Sequence, residues 1–145
     1  MSNTRLSRDL WAPRAHALLR IVTGYLFLLH GSAKLLGFPH LTGFDHVSLA
    51  SLIGVAAVLE LVGGALVMVG LFVCPVAFVL SGEMAVGYFM AHASKGSPLL
   101  PILNGGDGAV LYCFIFLFLA AAGAGLWSLD AARRARGKPV ALQNA

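Results

Sequence analysis

The sequence predicts an all-α membrane protein, a four-transmembrane-helix antiparallel bundle. Three observations lead there. Hydrophobic residues make up 59% of the chain and charged residues 11%, against roughly 25% charged in ordinary soluble domains. The mean hydropathy is +0.85. A bilayer core about 30 Å thick takes about 20 apolar residues per spanning helix. The 145 residues therefore accommodate four spans with short connections and no separate catalytic domain.

The first span is expected over residues 17–36, the second over 47–72, the third over 76–91 and the fourth over 109–127. Gly37, Pro39 and Gly43 break the first connection, Cys74 and Pro75 make a tight second one, and the segment from Ser94 to Asp107, with Pro98 and Pro101, forms the longest loop. The second span exceeds what a bilayer needs, so it tilts or its ends emerge. Arg5, Arg8, Arg14 and Arg20 precede the first span, and Arg133, Arg134, Arg136 and Lys138 follow the fourth. An even number of spans puts both basic tails in the cytoplasm. The loops with His40, Asp45, His46, Lys95 and Asn104 then face outward, and Trp127 anchors near the inner interface. The expected organisation is a basic cytoplasmic tail over 1–16, a membrane domain over 17–128 and a second basic cytoplasmic tail over 129–145.

The net charge of +4 comes mostly from the tails, so no compact basic face invites nucleic acid. Cys74 and Cys113 lack a C-x-x-C partner, sit in apolar surroundings near opposite membrane faces, and make neither a redox pair nor a disulfide. About twenty polar or mixed residues precede the first apolar run, which is too long for a cleaved signal, so that span is expected to stay in the protein. Ala56, Gly63 and Gly64 share a side with Glu60, and Gly87 lies one turn from Glu83; such spacings allow close helix approach and are compatible with a homo-oligomer.

Ionisable groups inside apolar runs are the informative part, because each costs at least ~2.5 kcal/mol at the bilayer centre. His30 and Lys34 lie four apart on the first helix, with Phe27 and Thr23 on the same stripe. Glu60 falls near the middle of the second span and Glu83 deeper, in the inner half of the third. Lys34 with Glu60, or His30 with Glu60, are the candidate pairs. Either they neutralise one another and fix helix register, or they line a polar pocket open toward the outer leaflet for proton transfer and head-group binding.

Other chemistries fit less well. His30 and His92 are the minimum for bis-histidine haem ligation, but one pair is easily accidental. No close N or S cluster is spaced for zinc, so no metal is expected. The stretch "NGGDG" has no P-loop context; Asn104 or Asp107 there can cap the fourth helix, and the two intervening glycines permit a turn that closes the pocket with His92 paired to Asp107.

The runs "LHGSAKLLGF", "LELVGGALVMVGL", a glutamate followed by "MAVGYFMAH", and "NGGDGAVLYCFIFLFLAAAGAGLWSLD" together resemble the DoxX family of small bacterial membrane proteins, over roughly residues 17–130. The resemblance implies a four-helix protein of the bacterial plasma membrane, in a family often labelled oxidoreductase after a subunit associated with thiosulfate:quinone oxidoreduction. His30, Lys34, Glu60, His92, Asn104 and Asp107 match recurrent polar positions of its pattern, with Asp107 where the family usually has Glu.

The expected function is thus a membrane subunit of a quinone-linked oxidoreductase system. His30 and Lys34 would donate to the quinone carbonyls, Glu60 would exchange a proton, and Asp107 with His92 would close the pocket. No redox centre of its own is detectable, so a redox-protein partner would supply electrons. The alternatives are a non-enzymatic scaffold or chaperone for redox or envelope proteins, and a small polar-solute carrier.

Overall fold

The computed structural model describes residues 3–44 and 47–136, with side chains described from residue 8 onward. Asp45, His46 and Lys138, and the side chain of Arg5, lie outside that description. The described residues are helical with no strand: α1 (Asn3–Leu36), α2 (Leu52–Val69), α3 (Val73–Ala91), a 3-10 turn (Ala93–Lys95), α4 (Pro101–Asn104), α5 (Asp107–Ala122) and α6 (Leu129–Arg136). Two stretches, Leu52–Val69 and Val73–Lys95, are long and apolar enough to cross a membrane, and Asp107–Ala122 is a shorter apolar helix.

Several boundaries differ from the sequence expectation for physical reasons. The first helix is continuous from Asn3, with Pro13 inside it, so the N-terminal basic segment is helical. The second helix is 18 residues long, about 27 Å at ~1.5 Å per residue, which removes the expected excess of length. Its start is set by Ser51, whose Oγ accepts from Gly54 N at 3.1 Å. Its end is set by Gly70 in the left-handed region (φ 76°), where Gly70 N and Leu71 N both donate to Leu66 O. The second connection is therefore Gly70 to Phe72. Cys74 and Pro75 belong to the first turn of α3, where proline's missing N–H costs nothing.

The fourth expected span corresponds to α5, which stops at Ala122, short of the expected Trp127. Gly123, Gly125 and Trp127 all have positive φ, so the apolar "GAGLW" stretch is irregular. Apolarity alone does not distinguish such a segment from helix.

α1 packs on α2 through small residues. A Cβ built at Gly24 would lie 2.5 Å from Met68 N, one at Gly64 would lie 2.5 Å from Leu28 N, and one at Gly31 would collide with Leu61 N. Backbone meets backbone here, the close approach that glycine permits. Gly63 faces Leu80 of α3, but nothing lies within 4 Å of a Cβ at Gly87, so Gly87 is not the packing glycine expected beside Glu83. α3 packs on α5 through Ser81, whose Oγ donates to Cys113 O at 2.9 Å, and through Tyr88, whose ring sits against Gly106. Cys113 thus lies in mid-helix rather than at a membrane face; it and Cys74 are both free thiols. Phe27, Val67, Val73, Ala77, Leu80, Phe116 and Leu119 form the buried apolar core between the two helix pairs.

Arg20 closes one end of this core. Expected among the tail charges, it is instead fully buried. Its Nη1 donates to Val67 O and Met68 O, each at 2.7 Å, and its Nη2 donates to Trp127 O at 2.8 Å and Leu126 O at 3.2 Å. The guanidinium fork satisfies carbonyls left over at the C-terminus of α2 and places positive charge at the negative end of the helix dipole. Asp130 mirrors it: its carboxylate accepts from Phe72 N and Val73 N, both at 3.0 Å, at the positive end of α3. The start of α6 is thereby tied into the packed structure.

Candidate functional site

The chemistry-bearing side chains collect at the seam where the α1–α2 pair meets the α3–α5 pair. α1 contributes Lys34, α2 Glu60, α3 Glu83 and α5 Tyr112. Glu60 is the ninth of eighteen residues in α2 and Glu83 the eleventh of nineteen in α3. Both are therefore central in their helices, and Glu83 is not the deeper group the sequence implied.

Lys34 Nζ donates to Glu60 Oε1 at 2.5 Å. The Lys34 stem turns inward along the helix surface and its side chain is 16% exposed. The Phe44 ring stands 5.6 Å from the ammonium and covers it from the loop side. A cavity of about 340 Å³ reaches Lys34 from that side, bounded by Gly37, His40, Phe44 and Val47.

The pairing is incomplete. Glu60 Oε2 and both Glu83 oxygens are buried with no hydrogen-bond partner. Buried carboxylate oxygens without donors are costly, and in native structures they call for an explanation such as a proton, an ion or a ligand. Glu83 lies within Coulombic reach of Glu60 and Lys34, and Tyr112 within reach of Glu60. Two carboxylates thus face one ammonium in an apolar environment.

His30 takes a different place from the one expected. It is exposed, its Nδ1 lies 2.9 Å from Leu26 O, and its ring meets Tyr112 edge-on at 5.9 Å. Its hydrogen bond is to its own helix rather than to Glu60. Phe27, fully buried beneath it, packs against Tyr112 at 5.3 Å and Phe116 at 4.7 Å, so the α1–α5 contact is aromatic.

The loop residues form a separate network. Asn104 Nδ2 donates to Tyr88 Oη and to Ser97 O, both at 3.1 Å, while its Oδ1 accepts from Gly106 N at 2.9 Å. Tyr88 Oη in turn donates to Pro98 O at 2.8 Å, and His92 Nδ1 lies 3.2 Å from Asn104 O. Every polar atom of the Asn104 side chain is used in holding the loop over the end of α3, which identifies it as a structural node. Asp107 is exposed and opens α5 without a side-chain cap, since Gly106 is the N-cap. Its charge still complements the helix dipole. No His92–Asp107 pair forms, because the His92 ring is turned to the Asn104 carbonyl.

Tyr112, Arg20 and Asp130 were not visible as functional or structural centres in the sequence. For Arg20 and Asp130 the signal was present: a charge next to an apolar run needs a partner, and these two find backbone groups. Tyr112 sits in an apolar run where an aromatic residue is unremarkable. Among the described residues no cluster of three or more His, Cys, Asp or Glu side chains is arranged for a metal.

Residues 15–93 match the DoxX family model. An uncharacterized protein of Haemophilus influenzae is 46% identical over 122 residues, covering 83% of this chain and 91% of that relative. No solved structure matches the chain. With a family match across its first three long helices and two helices of membrane-spanning length and apolarity, the protein is of membrane type and belongs to the DoxX family.

Proposed function

We propose that the protein is the membrane subunit of a quinone-linked oxidoreductase system, with α1, α2, α3 and α5 as four antiparallel spans of a plasma membrane and both termini cytoplasmic. One observation carries this reading: Lys34 neutralises only one of two central carboxylates, leaving three buried oxygens without donors. A stable packing device would be expected to close its own charge balance. An unbalanced acid pair needs one exchangeable proton, which is what a proton-coupled redox site requires.

The residues present fit a quinone head group. Such a group supplies two-electron, two-proton chemistry when bound. Lys34 is the hydrogen-bond donor available to a carbonyl oxygen, Glu60 and Glu83 hold and release protons, and Phe44 offers an aromatic face at the rim of the cavity. The cavity beside Lys34 supports entry from the loop side. Electrons come from a redox-protein partner in this reading, the side chains gathered here being suited to proton chemistry.

The test is identification of co-purifying quinone by mass spectrometry on the wild type, Lys34→Met and Glu60→Gln. Quinone kept by the wild type and lost from folded variants supports the assignment. Equal quinone in all three samples, or none in the wild type, refutes it.

A further inference from the structure

The end of the molecule where α1 begins and α6 ends carries a feature that the buried acid pair does not use. Among the described residues, Phe72 (φ 52°) and Trp127 (φ 51°) are the non-glycine residues with positive φ. A bulky side chain in the left-handed region is strained, and such strain persists where function or surrounding structure maintains it. Neither side chain repays it by burial: Phe72 is 50% exposed and Trp127 58% exposed. Both are instead presented outward by the anchors already described, Asp130 holding Phe72 N and Arg20 holding Trp127 O.

Arginines surround these two rings. The Arg133 guanidinium stands 4.9 Å from the Phe72 ring centroid, and Arg134 and Arg136 continue along the exposed face of α6. On α1, Arg14 lies over the exposed Trp11 ring at 5.7 Å and donates to Leu10 O. None of these arginines has a carboxylate partner among the described residues. The acidic groups at this end are Asp9 and Asp130, and both oxygens of Asp130 already accept backbone N–H groups. Exposed Leu126 and Leu129 complete an apolar rim beneath the positive charge.

We infer that this end is a binding surface for anionic phospholipid head groups, with α6 lying along the leaflet, Arg133, Arg134 and Arg136 on the lipid phosphates, and Phe72 and Trp127 seated at the level of the glycerol backbone. Guanidinium forks match phosphate oxygens, and aromatic side chains with an apolar body are favoured at the membrane interface. The amphipathic character of α6, with its arginines past an anchored first turn, is that of a helix held in the interface plane.

The full chain is reconstituted in phosphatidylcholine nanodiscs with and without phosphatidylglycerol, and retained lipids are counted by native mass spectrometry after extraction. The wild type is expected to retain phosphatidylglycerol in preference to phosphatidylcholine. The exposed triple variant Arg133→Gln, Arg134→Gln, Arg136→Gln should lose that preference, by up to about fivefold per arginine, at an unchanged melting temperature in detergent. Trp127→Gly should melt in detergent at the same temperature or higher and retain less phosphatidylglycerol. Equal retention of the two lipids by the wild type, or full retention by the triple variant, overturns the inference. So does a lowered detergent melting temperature for Trp127→Gly, which would assign the ring to packing within the protein.

Discussion

Lys34 and Glu60, on neighbouring helices and 26 residues apart, meet at 2.5 Å in a position where each would be costly alone. Removing one partner of a buried ion pair leaves an uncompensated charge, at a cost of about 3 to 5 kcal/mol, whereas replacing both by apolar groups is often neutral. Lys34→Met is therefore expected to lower the folded yield and melting temperature in detergent more than the double variant Lys34→Met, Glu60→Met. The double-mutant cycle read by thermal unfolding gives the coupling directly. Additive effects would show that the two side chains do not interact.

Glu83 is the acid without a cation of its own, and under the proposed function it holds the exchangeable proton. Dicyclohexylcarbodiimide enters apolar regions and reacts with uncharged carboxylic acids. At neutral pH it is expected to label Glu83, detected as a mass shift on the peptide that contains it. Glu60, engaged by Lys34, should react at least several-fold more slowly, and Glu83→Gln should remove the dominant label without unfolding the protein. Faster labelling of Glu60 than of Glu83 would reverse the assignment of roles.

Arg20 donates to four backbone carbonyls, and hydrogen bonds from a charged donor are each worth about 1.5 to 3 kcal/mol. Arg20→Met removes all four bonds, although Val67 O keeps its bond from Gly70 N, and should cost at least about 3 kcal/mol, seen as loss of folded protein after extraction. Arg20→Lys keeps the charge but has no planar fork, so it should reach only part of the set and fall between the two. A lysine variant as stable as the wild type would show that charge at the end of α2 matters more than the fork geometry.

The legible and illegible parts of the molecule divide along physical lines. Glu60, Glu83 and Lys34 stood out in the sequence because a charge within an apolar run has few explanations. The helix ends were harder. Pro75 after Cys74 reads as a turn, yet proline is equally at home in the first turn of a helix. The "AAAGAGLW" stretch is apolar enough to read as the end of a span, and only its positive φ values at Gly123, Gly125 and Trp127 take it out of α5. Arg20 was read by its proximity to other arginines, although its number already placed it three residues inside the first expected span. Asn104 and Asp107 look alike as capping residues in sequence, and it is the ring of Tyr88 packed on Gly106 that draws Asn104 inward and leaves Asp107 outside.

The glycines make the sharpest contrast for a final test. Gly24 and Gly64 face each other's helices so closely that a methyl group at either would lie 2.5 Å from a backbone nitrogen, and backbone cannot step aside as a side chain can. Gly24→Ala or Gly64→Ala must push α1 from α2, and that displacement lengthens the reach from Lys34 to Glu60 on the same two helices. Each should destabilise the fold by roughly 1 to 3 kcal/mol, the usual range for overpacking, with reduced quinone retention if the pocket depends on the pair. Gly87 has open space where a Cβ would go and an ordinary helical φ, so Gly87→Ala should instead stabilise α3 by up to about 1 kcal/mol through helix propensity. Thermal unfolding of the three variants in one detergent orders them. Equal losses at all three positions would mean that glycine is needed for something other than the close approach of α1 and α2.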